Sequence, residues 1–276
     1  MSKTVALVTG ASKGVGRGAA RALGSKGMTV YLTARSEEGL KAAAAEVDAA
    51  GGKGIAVVCD HADDAQVKAV IDRIEREQGR LDLLLNNAAA VHQDELAKPG
   101  AFWEKDLKLA DMIVVGLRSD YVAAYYAAPL MIRTGASLIA NISFYGAVSY
   151  FVGPAYGAAK AGTDKMVHDM AIDLAGTDVA IVSYWPGYVR TDEFKLIPDE
   201  YFPEPLRAIL PEFETPEFTG LVLAALLADP ERKALSGKAL IGAELGQKYG
   251  IKDIDGKQPR AWTAEMGRPL DFFTAG

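Results

Sequence analysis

Cysteine is nearly absent from the sequence. Cys59 is the only cysteine among the 276 residues, so the chain cannot form an internal disulfide bond. A chain without disulfides suits a reducing compartment, and we therefore expect the protein in the cytoplasm. Cys59 lies in an apolar run, where a small buried strand residue is a simpler interpretation than a catalytic nucleophile.

Histidine is scarce, and the basic residues form no block. His61, His92 and His168 do not have the spacing of a zinc site or a catalytic triad, so we expect surface or packing roles and no metal site. The formal net charge of −6 argues against nucleic acid or an anionic membrane as the main partner. The apolar stretch around residues 221–228 is too short to span a bilayer, and we expect no signal peptide.

The chain does contain a regular alternation of short, β-branched apolar runs and helical stretches. Such alternation predicts a parallel sheet with right-handed crossovers. We expect a single α/β domain with a Rossmann-like, doubly wound parallel sheet of about seven strands and helices on both faces. The predicted strands are residues 4–9, 29–33, 55–59, 81–85, 137–142, 179–185 and 239–241. The predicted helices end near residues 26, 50, 78, 133, 175 and 227, with Pro129 as a kink or break.

A glycine-rich turn joins the first predicted strand to the first predicted helix. It reads Thr9-Gly10-Ala11-Ser12-Lys13-Gly14-Val15-Gly16. Gly10 permits a tight turn, while Gly14 and Gly16 let the backbone and the helix N-terminus approach a pyrophosphate. The spacing differs from the Gly-x-Gly-x-x-Gly of many dinucleotide-binding proteins, and a plain turn with incidental glycines is the alternative.

Two cationic side chains favour NADP over NAD as the cofactor. In NAD-specific Rossmann sites, an acidic residue after the second strand binds the ribose hydroxyls. This chain has Arg35 at that point, together with Lys13 in the glycine turn, and two cations suit a 2′-phosphate. The alternative is that Arg35 is only a solvated loop charge.

Polar and small residues follow the third and fourth predicted strands, at the edge where ligands bind in open α/β sheets. Asp60 could accept a hydrogen bond from an adenine amino group, or it could cap the helix that starts near Asp63. Asn87 can tie neighbouring loops together, and Ala88 lets the backbone pass close to a cofactor.

Tyr156 and Lys160 are the strongest candidates for catalysis. They are four residues apart, so on a helix both side chains share one face. An ammonium beside a phenol favours the phenolate, which a tyrosine with an ordinary pKa near ~10 needs for proton exchange at neutral pH. Ser143, at a strand end, could hold a substrate oxygen. Such a pair is common on helices by chance, and Ser149 and Tyr150 are weaker alternatives by spacing.

These motifs together resemble those of the short-chain dehydrogenases/reductases. The glycine turn, Asp60, Asn86-Asn87-Ala88, Ser143, Tyr156 with Lys160, and Pro186-Gly187 with Thr191 occur in that family's order and spacing over about residues 4–243. A subgroup, dehydrogenase/reductase family member 1, shows similar detail in Phe102-Trp103-Glu104, Val115-Gly116-Leu117-Arg118 and Leu245-Gly246-Gln247-Lys248-Tyr249-Gly250.

The resemblance implies a role for each site residue. Tyr156 would be the acid/base, Lys160 would lower the pKa of Tyr156 and bind the nicotinamide ribose, and Ser143 would orient the substrate oxygen. The resemblance also implies cofactor contacts from the loop after the sixth strand, namely Pro186, Gly187, Val189 and Thr191. Dimers or tetramers are common in the family, so we expect a homo-oligomer.

The sequence departs from the family pattern at two positions. The family usually has an asparagine in the helix after the fourth strand, where it helps to hold a water that connects the lysine to solvent. By spacing, Gly116 occupies that place, and we hypothesise that the glycine opens the helix so that a water bound to backbone performs the relay. The second departure is Ala89, where the family commonly has glycine.

The remaining segments predict a lid and a tail. Residues 192–214 are rich in proline and aromatic residues and are expected to form a lid over an aromatic pocket that includes Tyr145, Tyr150, Phe151, Trp185 and Tyr188. We expect one domain over residues 1–243 and an extension, residues 244–276, that packs on the domain or on a partner subunit. Some of these aromatic residues must belong to the core.

The leading functional interpretation is an NADPH-dependent carbonyl reductase, or the reverse alcohol dehydrogenase, acting on a fairly apolar small molecule. A second interpretation is a catalytically impaired NADP-binding sensor or scaffold protein, which the glycine at position 116 favours. The motifs also leave isomerisation or dehydration open.

Overall fold

The centre of the molecule is a sheet of seven parallel strands. The computed structural model describes residues 4–96, 98–191, 194 and 204–274. The strands are β1 Val5–Thr9, β2 Thr29–Ala34, β3 Lys53–Val58, β4 Leu83–Asn86, β5 Ser137–Ile142, β6 Val179–Trp185 and β7 Ala239–Ile241. Their order is β3-β2-β1-β4-β5-β6-β7, and every neighbouring pair is parallel. The strand order reverses between β1 and β4, where a cofactor crevice forms in such sheets.

Helices cover both faces of the sheet. They are α1 Gly14–Ser25, α2 Glu37–Ala49, α3 Asp64–Gln78, α4 Gln93–Leu96, α5 Asp111–Ile113, α6 Ser119–Thr134, α7 Pro154–Asp173, α8 Glu204–Ile209, α9 Pro216–Ala228, α10 Gly242–Tyr249 and α11 Thr263–Met266. Single 3₁₀ turns occupy Leu107–Ala110, Tyr145–Ala147, Leu210–Glu212 and Arg232–Leu235. The predicted Rossmann-like, doubly wound single domain is confirmed.

The hydrophobic core lies in two layers, one on each face of the sheet. Leu23, Leu40 and Leu223 bring α1, α2 and α9 onto one face, where all three are fully buried. The opposite layer is formed by α3, α6 and α7 in the same way. A fully buried Leu or Ile side chain contributes about 1.5–3 kcal/mol. With both faces covered, the carboxyl ends of the strands are the edge left for a site.

The predicted helical region after β4 is interrupted at Gly116 rather than at Pro129. Val115 has φ −113° and ψ 99°, and Gly116 has φ 135° and ψ −17°, so neither residue is helical. A positive φ is a conformation that glycine adopts without steric cost. Pro129 lies inside α6. The expected local opening at Gly116 is therefore present, and the water relay remains a prediction.

The C-terminal residues up to residue 274 pack on the domain itself. Trp262 is 3% exposed, and its backbone N–H donates to the Tyr145 hydroxyl at 2.9 Å. Asp253 accepts hydrogen bonds from the backbone N–H and the hydroxyl of Thr215 at 2.7 and 2.5 Å. The tail is thus anchored at Tyr145 after β5 and at Thr215, which directly precedes α9. Within the described part of the chain, none of the helices combines the length and apolarity needed to cross a membrane.

Candidate active site

The glycine turn packs against the loop that follows β4. The Asn87 side chain donates to the carbonyl oxygens of Thr9 and Gly10 at 2.9 and 3.2 Å. Gly10 has φ 66°, and a Cβ there would lie 2.8 Å from the Cα of Ala88. A Cβ on Gly16 would lie 2.5 Å from Nδ2 of Asn87. Side chains are thus excluded at Gly10 and Gly16, and Asn87 ties the two loops together, as its amide suggested.

Two further segments meet the same turn. A Cβ on Gly14 would lie 3.6 Å from Cγ2 of Thr191, so the loop after β6 reaches the start of α1. A Cβ on Gly39 would lie 3.0 Å from Cβ of Ser12, which places the turn beside the start of α2. Val15 is half-buried in the first turn of α1. The structure therefore brings residues from three distant stretches of sequence to one edge of the sheet.

Two cations flank the glycine turn. Lys13 is the residue at the N-terminal end of α1, and Arg35 lies directly after β2 and before the cap of α2. Both side chains are exposed. The exposed guanidinium and ammonium at the end of β1 and β2 provide positive charge where the sequence predicts a 2′-phosphate.

Asp60 does not cap the following helix. Asp63 caps α3, because its carboxylate accepts from the backbone N–H groups of Ala65 and Gln66 at 2.9 and 3.3 Å. Asp60 instead accepts from the backbone of Ala62 at 3.0 Å and stays partly exposed at the end of β3. The helix-cap alternative for Asp60 is therefore wrong.

Each of the three histidines has a different contact. His61 is buried with a ring nitrogen 2.8 Å from the hydroxyl of Thr33, and burial lowers the pKa of His61 to about 4. His92 lies 3.0 Å from the Asp111 carboxylate, at the surface. His168 lies far from both, with its ring 5.6 Å from that of Phe272. Among the residues that the structure describes, no cluster of His, Cys, Asp and Glu could hold a metal ion.

Ser143, Tyr156 and Lys160 come together where β5 ends beside α7. The Lys160 ammonium donates to the carbonyl oxygen of Ile142 at 2.8 Å and lies 5.7 Å from the centroid of the Tyr156 ring. The Ser143 hydroxyl donates to the carbonyl oxygen of Lys160 at 3.2 Å. A Cβ on Gly146 would lie 2.6 Å from Cε1 of Tyr156, so this glycine makes room for the tyrosine ring.

Burial dominates the acid–base properties of this group. It raises the pKa of the Tyr156 phenol well above its usual range, and Tyr188 raises it further. The Lys160 ammonium is directed at the Ile142 carbonyl oxygen, and the lowering of the Tyr156 pKa by Lys160 stays a prediction. Burial lowers the pKa of Lys160, whereas the carboxylates of Asp120 and Asp164 raise it.

Asp164 is a buried carboxyl group of α7 that is hydrogen-bonded to β6. Its carboxylate accepts from the Ser183 hydroxyl at 2.5 Å and from the Trp185 indole N–H at 3.1 Å. Burial raises the pKa of Asp164, while these hydrogen bonds and one from Ser143 lower it. Trp185 and Tyr145 are both fully buried, so they belong to the core and not to the expected aromatic pocket. This corrects the prediction for those two residues.

The loop after β6 is held by a buried carboxyl group. Pro186 and Gly187 are buried, and Glu214 accepts a hydrogen bond from the backbone N–H of Gly187 at 3.1 Å. Val189 pairs with Glu214 in an isolated parallel bridge. The predicted lid falls largely on residues 192–203, of which only Phe194 is among the described residues. Its last part, 204–214, forms α8 and a 3₁₀ turn.

A cavity of about 380 Å³ adjoins Tyr156. Its wall is mainly apolar, and the charged residues among the described lining are Lys105 and Asp106. Tyr150 lines it, as the sequence predicted, but most of the wall comes from the segment between β4 and α6. These lining residues include Leu96, Phe102, Trp103, Leu107 and Met112. Sequence reasoning did not assign them to the site, although exposed aromatic residues in a long connection were a usable signal.

Comparison with known proteins identifies the family. The model of the family described as short chain dehydrogenase matches residues 4–201. The protein named dehydrogenase/reductase SDR family member 1 from Homo sapiens is 39% identical over 266 residues, covering 93% of this chain and 85% of the human protein. The protein of the same name from Mus musculus is 41% identical, covering 100% of this chain and 88% of the mouse protein. The chain belongs to the short-chain dehydrogenase family. The predicted subgroup is confirmed by the same two relatives.

A solved short-chain dehydrogenase structure supports this placement. A metagenomic short-chain oxidoreductase in complex with NADP is 30% identical, with a TM-score of 0.70, and the alignment covers 87% of this chain and 97% of that one. The present protein is thus an oxidoreductase of the short-chain dehydrogenase family. Its glycine turn, closed to any Cβ at Gly10 and Gly16, and the exposed Lys13 and Arg35 fit a phosphorylated dinucleotide.

Proposed function

We propose that this protein is an NADPH-dependent carbonyl reductase, or an alcohol dehydrogenase in the reverse direction, for fairly apolar small molecules. One observation carries the proposal. Tyr156 lines an apolar cavity of about 380 Å³ and stands one helical turn before Lys160, at the edge of the sheet that also holds the glycine turn. A carbonyl compound in the cavity would therefore lie beside a proton donor.

Each catalytic side chain has a distinct task in this proposal. Tyr156 donates its hydroxyl proton to the carbonyl oxygen during reduction and recovers it during oxidation. Ser143 turns its hydroxyl from the Lys160 carbonyl oxygen toward the substrate oxygen and holds it by a hydrogen bond. Lys160 supplies positive charge close to the phenol, which favours the phenolate. Because Lys160 is buried, its charge interaction with the phenol is screened less than it would be in water.

The proposed cofactor-binding residues lie at the same edge of the sheet. The backbone of residues 10–16 would hold the pyrophosphate, and Lys13 with Arg35 the 2′-phosphate. Asp60 would contact the adenine, while Asn87, Ala88 and the loop from Pro186 to Thr191, including Gly187 and Val189, would border the nicotinamide half. When bound, the reduced nicotinamide supplies the hydride that the carbonyl carbon takes up. The preference for NADPH over NADH rests on the absence of an acidic residue between β2 and α2.

The test is NADPH oxidation against a panel of apolar ketones, aldehydes and quinones. Tyr156→Phe should abolish turnover of any substrate found and leave NADPH binding, followed by cofactor fluorescence, nearly unchanged. Tyr150→Phe is the matched control, because Tyr150 also lines the cavity but is 86% exposed and away from Lys160. Full activity in Tyr156→Phe would refute the proposed acid/base.

A second candidate is an NADP-binding sensor or scaffold protein that has lost efficient turnover. The observation that favours it is the interrupted helix at Gly116, where the family usually has asparagine. Tight NADPH binding without turnover across the whole panel would support this candidate over the reductase.

We also propose that the protein is a homo-oligomer that associates through the outer faces of α6 and α7. Tyr121, Tyr125 and Ile132 of α6 and Ile172 of α7 are large apolar or aromatic side chains that are 46–63% exposed. A contiguous apolar surface of this kind suits burial against a second copy.

A further inference from the structure

Asp120 is a buried acid near the helix interruption. It lies in the first turn of α6, four residues after Gly116, and is 3% exposed. An acid in a first turn interacts favourably with the helix dipole, but an exposed side chain would do this without the cost of burial. The helix dipole therefore does not explain why this carboxyl group is buried.

The backbone at Asp120 is fastened to the strand that anchors Lys160. The Asn86 side chain donates to the carbonyl oxygen of Asp120 at 3.3 Å and to the side-chain oxygen of Asn141 at 2.9 Å. Asn141 directly precedes Ile142, whose carbonyl oxygen accepts from the Lys160 ammonium at 2.8 Å. The start of α6 is thus linked through Asn86 to the end of β5, the strand end that also holds the lysine.

The helix interruption completes this arrangement. The backbone N–H of Gly116 donates to the Ser119 hydroxyl at 3.0 Å, and that hydroxyl lies 3.5 Å from Oδ1 of Asp120. On the other side, the Thr163 hydroxyl donates to the carbonyl oxygens of Gly116 and Ala159, at 3.4 and 3.0 Å. The interruption therefore joins the start of α6 to α7 within one turn of Lys160.

We propose that Asp120 is a positioning residue whose carboxylate keeps the buried Lys160 in its charged form. The proposal rests on the proposed function, since the charge of Lys160 matters through Tyr156. Four ionisable groups share this space: Asp120 from α6, and Tyr156, Lys160 and Asp164 from α7. Burial raises the pKa of Asp120 to about 8, and the charge of Lys160 lowers it. Asp120 therefore acts on Lys160 as a carboxylate above about pH 8, where it raises the pKa of Lys160 more than Asp164 does.

The direct test uses the protein without cofactor or substrate. The titration of Lys160 is followed by the NMR shift of its labelled Cε, assigned with Lys160→Met. In Asp120→Asn, the Lys160 signal should titrate at lower pH by at least about one unit, because one of two nearby negative charges is lost. Asp111→Asn is the matched control: Asp111 is an acid of the same region that is 56% exposed. An unchanged Lys160 titration in Asp120→Asn, or an equal change in Asp111→Asn, overturns the proposal.

The pH profile of alcohol oxidation gives a second readout. The direction in which this profile moves distinguishes the proposed role from a purely structural one. If Asp120→Asn discharges Lys160, the phenol of Tyr156 loses its favourable neighbour, and the rising limb of kcat/KM moves to higher pH. A move to lower pH would mean that Asp120 acts on Tyr156 only as a nearby negative charge, which contradicts the proposal.

A variant that fails to fold does not remove the test. In the wild type, the labelled Cγ of Asp120 and Cε of Lys160 should each report both macroscopic titration steps, because the two groups titrate as a pair. A Lys160 signal that does not respond to the titration step of Asp120 would overturn the proposal. If no substrate is ever found, the titrations in the free protein still decide the question, so failure of the proposed function is distinguishable from failure of this inference.

Discussion

Glu214→Gln should stabilise the protein increasingly as the pH rises. The Glu214 side chain is 2% exposed and holds the loop after β6 through the backbone N–H of Gly187. Burial, and to a smaller extent the Asp253 carboxylate, raise the pKa of Glu214 from 4.5 to about 8. A glutamine can accept the same hydrogen bond without carrying a charge.

The sign of the effect follows from proton linkage. Below about pH 4, Glu214 is protonated in both the folded and the unfolded chain, so it adds no pH dependence. Between pH 4.5 and about 8 the unfolded chain has lost this proton while the folded chain keeps it, and the stability of the wild type falls with rising pH. Glutamine does not titrate, so the difference in the free energy of unfolding between variant and wild type should grow across this range.

The magnitude comes from the separation of the two pKa values. At about 1.4 kcal/mol for each unit, the rise from 4.5 to about 8 corresponds to about 5 kcal/mol at pH 8. In a domain of this size, each kcal/mol moves Tm by about 2–4 °C, so the gap in Tm should approach about 10–20 °C.

Thermal or urea unfolding at intervals from pH 4 to pH 8 measures this gap. Glu212→Gln is the control, because Glu212 lies two residues away, is 40% exposed and pairs with Arg260 at the surface. We expect the stability difference between Glu212→Gln and the wild type to change little over the same pH range. A Glu214→Gln gap that stays constant from pH 4 to pH 8 would refute the argument that burial holds the proton on this carboxyl group.

Three further predictions test other parts of the structure. Arg35→Ala should weaken NADPH binding about tenfold or more and hardly change NADH binding, measured by fluorescence titration; equal losses would exclude a 2′-phosphate contact. Gly116→Ala should lower the free energy of unfolding by about 1–3 kcal/mol through backbone strain at φ 135°, since a Cβ there meets nothing closer than 3.6 Å. Gly176→Ala, with open space and no positive φ, should be nearly neutral in the same assay. Tyr125→Asp should shift the molar mass measured by light scattering toward the monomer, and an unchanged oligomer would place the interface elsewhere.

The local features that follow from sequence pattern were predictable. The strands Ser137–Ile142, Val179–Trp185 and Ala239–Ile241 have the predicted bounds, because apolar runs between turn residues leave little freedom in where a buried strand begins. The third strand begins at Lys53, earlier than predicted, because Lys53 and Gly54 pair with Thr29 and Val30 despite their low strand propensity. Pairing with β2 sets the start of this strand, and the strand propensity of single residues does not predict it.

The parts of the site that depend on long-range packing were not predictable. Trp185 looked like a pocket residue, yet its indole N–H donates to Asp164 inside the core. In the sequence, Phe102 and Trp103 indicated only the subgroup, although they line the cavity beside Tyr156. The importance of Asp120 also depends on α6 starting where it does, after a break that only the conformation at Gly116 reveals. Sequence spacing cannot show which side chains a fold encloses together.

The buried acids fall into two groups, those paired with a cation and those whose pKa is raised by burial. Asp82, Glu95 and Glu217 are at most 5% exposed, and each is paired with a cation, namely Arg80, Lys98 and Arg21 respectively. Asp120, Asp164 and Glu214 are buried as well, and burial raises the pKa of each. All three lie near the carboxyl ends of β4, β5 and β6, beside Lys160, Ser143 and Gly187. Because an acid with a raised pKa costs folding free energy at neutral pH, a chain selected for stability alone would have replaced it. The concentration of this cost at one edge of the sheet is an argument, independent of any motif, that this edge performs the chemistry.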